Sequence, residues 1–125
     1  ANVQQSGLLT IDYQQMGWHE RLSPPLELWL YRIVQELINN ALRHAKAMHA
    51  LVQLSRHAYN IQITVEDDGR GFDSRKLAAK SGTGLKSIES RVKYMNGSLS
   101  VNSDSRGTSF HIEISLLHVP QELNT

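Results

Sequence analysis

Two pairs of short alternating runs, each joined by a turn too short to carry a crossover, decide the fold class of this chain. Ala50–Ser55 and Ile61–Glu66 flank a turn near Tyr59-Asn60, and Leu99–Asn102 and Ser109–Leu116 flank a turn around Asp104–Gly107. Strands joined that tightly pair antiparallel, because a parallel partner needs a much longer connection. Two helical patterns accompany them. From Leu26 to about Ala47, residues Leu30, Ile33, Val34, Leu37, Ile38, Ala41, Leu42 and Ala45 recur at helical spacing behind the start signal Ser23-Pro24-Pro25. A second helix runs from Leu85 to Met95 through Ile88 and Val92, and Asn96-Gly97 stops it. Leu8–Gln15 alternates Leu9, Ile11 and Tyr13 with Thr10, Asp12 and Gln14, which reads as a further strand. Strands and helices do not alternate strictly, so a doubly wound parallel sheet is excluded. The order predicts an α+β fold, a two-layer α/β sandwich whose mixed, mostly antiparallel sheet is covered on one face by helices. One domain over residues 1–125 is expected, with a core over about 8–117, a polar lead-in at Ala1–Gly7 and a tail over 118–125.

Composition narrows the function classes. Thirteen Lys and Arg oppose 12 Asp and Glu, a net charge of +1, so no global charge favours nucleic acid or an anionic membrane. The chain has no cysteine, which removes disulfide and thiol chemistry and is compatible with a reducing, cytosolic setting. No apolar run approaches the roughly 20 residues that span a bilayer, and no charged-then-apolar N-terminal segment reads as a signal peptide. Ala1 stands where an initiator Met would, as excision from a longer protein or removal of the Met would leave it.

Three segments carry the chemistry. In Glu36-Leu-Ile-Asn-Asn40-Ala-Leu-Arg-His44, a carboxylate, an amide and an imidazole fall at i, i+4 and i+8, one polar line along the first helix. A solvated helix face would look similar, but Asn39-Asn40 sits awkwardly in mid-helix, where its side chains compete for backbone hydrogen bonds. Local conflict of that kind is expected at a functional site. An amide oxygen at Asn40 is a hard neutral ligand of the type Mg²⁺ accepts alongside water and phosphate. Glu36, one turn earlier, suits a general base or the orientation of a metal-bound water.

The second segment, Asp67-Asp-Gly-Arg-Gly71-Phe72, follows a strand directly. Its residues suit an ordinary tight turn. They also suit an adenine pocket: Gly69 and Gly71 let a flat base approach the backbone, and the Asp67 carboxylate accepts from an exocyclic amine. The third, Gly82-Thr83-Gly84-Leu85, opens the second helix and reads either as a flexible helix start or as an amide-lined N-terminus facing an anion. It lacks the Lys-Ser/Thr of a P-loop and the glycine spacing of a dinucleotide fold.

In this order and spacing the segments resemble the N, G1 and G2 boxes of the ATP-binding catalytic domain of bacterial two-component sensor histidine kinases, within the Bergerat-fold ATPases. The run Leu30–Ala45, the run Gly82-Thr-Gly-Leu-Lys-Ser-Ile-Glu-Ser-Arg91, Asn96-Gly97 and the Gly107-Thr108 turn are most similar to the nitrate-sensor and desaturase-regulator subgroup. The resemblance covers about Leu9 to Leu116. It implies that Asn40 coordinates Mg²⁺, that Glu36 is the catalytic carboxylate and that His44 lies beside the phosphates or ribose. It implies that Asp67 reads the adenine amine with support from Thr108, and that Gly69, Gly71 and Phe72 shape the base pocket. Gly82, Thr83, Gly84 and Leu85 would bind the nucleotide at the helix start, the two glycines against the phosphates. Asp73–Ser81 would form the ATP lid, with Lys76 and Lys80 on it.

The resemblance further implies a protein histidine kinase fragment that takes Mg²⁺–ATP and passes the γ-phosphoryl group to a histidine on a dimerisation domain, for relay to a response regulator. That acceptor is not found here: His19 lies in a polar stretch before Pro24-Pro25 with no long helix around it. A monomeric fragment is expected, with no nucleic-acid or membrane contact, from the cytosolic part of a membrane-bound sensor. Two alternatives share the pattern: an anti-sigma-factor-type serine/threonine kinase of the same fold, and a non-catalytic nucleotide-binding interaction module.

Overall fold

The computed structural model describes residues 2–6, 9–17, 21–41, 47–69 and 85–123, with side chains from residue 10 onward except at 85. Along the chain run β1 (Asn2–Ser6), β2 (Leu9–Met16), α1 (Pro24–Asn40), β3 (His49–His57), β4 (Asn60–Asp67), α2 (Leu85–Tyr94), β5 (Ser98–Asp104) and β6 (Gly107–Ser115), then a 3-10 turn at Gln121–Leu123. The six strands form one sheet in the order β1-β2-β3-β4-β6-β5. Only β2 and β3 pair parallel, and α1 lies in the long connection that such a pair requires. The mixed, mostly antiparallel α+β sandwich expected from the sequence is the fold observed.

Side-chain alternation sorts the sheet into two faces. On the inner face Val52, Val65, Phe110 and Val101 stand in register across four strands, and Leu54, Ile63, Ile112 and Leu99 form the next row. Leu26, Leu30, Ile33 and Leu37 of α1 and Ile88 and Val92 of α2 are buried with them in one core. The outer face is polar, with Gln14, Gln53, Thr64, His111 and Ser100 in register. Its side chains bond across strands, as in Gln53 Nε2–H to Gln14 Oε1 at 2.9 Å. A sheet with one apolar and one polar face takes one helical layer.

The stop signal after α2 works as its residues suggest. Asn96 adopts φ +57, the Asn96 N–H donates to Lys93 O and the Gly97 N–H to Val92 O, which satisfies two terminal carbonyls of the helix.

Both ends of the chain differ from expectation. Asn2–Ser6 is an edge strand paired antiparallel to β2, not a frayed lead-in. Asn-Val-Gln-Gln-Ser has no alternation to signal a strand, because an edge ladder rests on backbone bonds that any polar residue can make. Residues 119–123 are not a free tail. Val119 and Leu123 are buried in the core, and Ser23, at the N-cap of α1, donates its hydroxyl to Leu123 O instead of capping its own helix. Asn96 Nδ2–H bonds His118 O at 2.7 Å and holds the same segment from α2. Among the described residues no helix is long and apolar enough to cross a membrane.

Candidate functional site

The inner-face row beyond Val52 and Val65 consists of Ile11, Ala50, Asp67, Thr108 and Ser103. Asp67 therefore occupies a core position at the last residue of β4, with a carboxylate where the pattern would place an aliphatic group. Its neighbours are adapted to it. The Gly69 N–H donates to Asp67 Oδ1 at 2.9 Å, and Gly69 is itself buried. Thr108 is 3% exposed and shares a hydrogen bond between its hydroxyl and that of Ser103 at 2.9 Å. Burial pushes the Asp67 carboxyl above the ordinary carboxylate range. The Gly69 and Thr108 N–H groups pull the other way and do not cancel it, and the charge of Asp68 adds to the rise.

Asp68 points elsewhere and has another task. Its Oδ1 accepts from the Met48 and His49 N–H groups, both at 2.9 Å, and Oδ2 meets His49 Nδ1 at 2.8 Å. These bonds, led by the His49 N–H, hold its carboxyl down at about 2. A depressed carboxyl contributes stability above its unfolded value near 4 and loses it as pH falls through about 2. Asp68→Ala should lower stability at neutral pH by about 1 kcal/mol, the solvent-screened worth of an exposed cluster, and flatten the acid decline between pH 4 and 2. Melting curves of the two chains across that range check this.

The same clasp brings α1 to the site. The Ala47 N–H donates to Ala41 O at 3.1 Å, which ties the end of α1 to the residues entering β3, and Asp68 then fastens the start of β3 to the end of β4. Asn40, 8% exposed and next to Ala41, thus lies at the same end of the molecule as Asp67. One turn back along α1, Glu36 faces α2. Arg91 Nε–H donates to Glu36 Oε1 at 3.1 Å and the Ser87 hydroxyl to the same oxygen at 3.3 Å. Glu36 Oε2 is buried and has no hydrogen-bond partner among the described residues.

The sequence-predicted residues therefore divide. Asp67, Gly69 and Thr108 form one contiguous group, and Glu36 and Asn40 stand on one stripe of α1 at the same end. Leu85 begins α2. His44, Gly71, Phe72, Gly82, Thr83, Gly84, Lys76 and Lys80 lie outside the described residues. Three neighbours of the site were not singled out in the sequence: Asp68 stood among turn residues, and Ser87 and Arg91 stood in the run Gly82–Arg91 with no role of their own. Their signal was the i, i+4 spacing of Ser87 and Arg91, which places both on one face of α2.

Residues 26–118 match the family described as histidine kinase-, DNA gyrase B-, and HSP90-like ATPases. This chain belongs to that family. Within it, this ATPase domain is similar to sensor histidine kinases. It is 36% identical over 95 residues to sensor histidine kinase MctS of Rhizobium johnstonii, an alignment covering 74% of this chain and 21% of that protein. It is 32% identical over 106 residues to the signal transduction histidine-protein kinase/phosphatase DegS of Brevibacillus brevis, covering 83% and 27%. The ATPase domain thus spans about a quarter of the length of these relatives. Among solved structures, the histidine kinase domain of the Erythrobacter litoralis EL346 blue-light activated histidine kinase superposes with a TM-score of 0.70 at 23% identity, covering 96% of this chain and 60% of that one. That likeness shows the fold. Together the family match and the relatives make this an ATP-binding domain of the bacterial sensor histidine kinase kind.

Proposed function

We propose that this domain binds Mg²⁺–ATP and donates the γ-phosphoryl group to a histidine on a separate dimerisation and phosphoacceptor domain, from which a response regulator receives it. The observation that carries this reading is Asp67, a carboxylate in a core row, held by backbone N–H groups at the end of the sheet where α1 presents Asn40. A half-buried carboxylate is unfavourable to the empty fold, so a ligand that needs an acceptor there accounts for it.

Each residue then has a defined task. Asp67 accepts from the exocyclic amine of adenine, and guanine, with a carbonyl at that position, is rejected by lone-pair repulsion. Gly69 keeps the Asp67 carboxylate aimed, and Thr108 closes the pocket from β6. The buried Asn40 amide is a hard neutral donor, which fits a magnesium ion held chiefly by phosphate and water, and Glu36, one helical turn away, carries an oxygen with no partner among the described residues. Bound there, the ion would neutralise charge developing on the transferring group. Glu36 orients a water or takes a proton with Oε2. His44, Gly71, Phe72 and the run Gly82, Thr83, Gly84 and Leu85 complete the nucleotide pocket in this reading. Acting within a longer sensor, the domain would be cytosolic and monomeric when separated from its dimerising helices.

Incubation with γ-labelled ATP and the phosphoacceptor domain tests the proposal. Acid-labile, base-stable label on the acceptor is the expected result, the signature of phosphohistidine. Acid-stable label on a hydroxyl would assign the domain to serine/threonine transfer instead, and binding without any transfer would leave only an interaction module.

A further inference from the structure

Glu36 is oriented from α2 rather than from its own helix. Arg91 reaches it by a single bond through Nε, and Ser87, one turn earlier on α2, shares the same oxygen. The guanidinium is not free to swing. Its central carbon lies 5.6 Å from the centroid of the Trp29 ring, and Trp29 stacks on Tyr94 at 4.9 Å and 19°. Tyr94 follows Arg91 by three residues, so Arg91 and Tyr94 grip one aromatic ring from neighbouring positions on one helix face. Both ends of the ion pair are largely withdrawn from water, at 26% exposure for Arg91 and 25% for Glu36.

A guanidinium fork can engage both carboxylate oxygens, and a pair built for strength alone often does. Here one oxygen takes both donors and the other is buried with no partner among the described residues. Leaving an acceptor unsatisfied out of water is unfavourable unless something arrives to use it.

We propose that Arg91 is a positioning residue for Glu36: it fixes the carboxylate by Oε1 so that Oε2 faces the reacting groups. This rests on the kinase reading above.

The test uses the intact sensor kinase that carries this domain. Arg91→Met keeps an apolar stem against Trp29 and removes the guanidinium, Arg91→Lys restores a charge without the planar fork, and Glu36→Gln is combined with each. ATP affinity by calorimetry, KM and kcat for phosphoryl transfer, and melting temperature are read for every variant. Arg91→Met should lower kcat at least tenfold with ATP affinity within twofold, and Arg91→Lys should recover part of the rate. In the Glu36→Gln background Arg91→Met should slow transfer no further, because the two residues act as a unit. Transfer by Arg91→Met within twofold of the parent overturns the inference. So does an equal loss in both backgrounds, or a fall in affinity, rate and melting temperature together, which would make the pair a strut. Failure of the parent kinase to transfer at all retires the kinase reading and this inference with it.

Discussion

Asp67→Asn should weaken ATP binding about ten- to a hundredfold, the roughly 1.5–3 kcal/mol of a hydrogen bond to a charged group, while leaving the nucleotide-free domain at least as stable as before. The two halves of this expectation have one cause. Burial raises the Asp67 carboxyl above its ordinary range. A raised carboxyl contributes most stability below its unfolded value near 4 and loses it as pH rises through the higher folded value. At neutral pH the ionised group therefore opposes folding. The amide has the same shape, still accepts from the Gly69 N–H and carries no charge. The melting temperature of Asp67→Asn at pH 7 should match or exceed that of the parent, and the difference should vanish below pH 4. A clear drop in melting temperature at pH 7 would show that Asp67 holds the fold rather than the ligand.

Gly107→Ala should do the opposite to stability and the same to binding. Gly107 sits at φ +155, a region that side-chain-bearing residues avoid, and a Cβ there would lie 2.1 Å from Asp67 O and 3.1 Å from Asp67 C. The obstacle is backbone, so the β5–β6 hairpin must move away from the end of β4. The cost should be about 2–4 kcal/mol, or roughly a 10 °C lower melting temperature. The move also separates Thr108 from Asp67, its register partner, so ATP affinity falls with stability. The two variants form a matched pair: binding is lost from both, and melting temperature separates the loss of a ligand contact from the loss of its frame. Thermal melts with and without ATP distinguish them directly.

The parts of the fold that repeat a local rule were legible in the sequence. The stripe Leu30, Ile33, Leu37 and the alternation of Ile61, Ile63, Val65 each encode a buried face by period alone, and Asn96-Gly97 encodes a helix stop by the conformation it tolerates. Asp67, read in the sequence as the residue that follows this strand, is its last residue in the fold and continues the same alternation. What escaped depended on partners distant in the chain. Asn2–Ser6 is a strand only because β2 offers an open edge. Val119 and Leu123 are anchors only because Ser23 and Asn96 fasten the residues around them. Asp68 and His49 are 19 residues apart and Arg91 and Glu36 are 55 apart. No period in the sequence links either pair, so turn chemistry described Asp68, and Arg91 had no role of its own until the fold placed it.

In this reading Asp67 makes its end of the sheet a site for adenine. The most direct test is a calorimetric titration of the domain with ATP and with GTP in Mg²⁺, repeated on Asp67→Asn. The parent should bind ATP saturably and GTP much more weakly, and Asp67→Asn should lose that preference with its fold intact. Equal affinity for the two nucleotides, or ATP binding unchanged by Asp67→Asn, would contradict it.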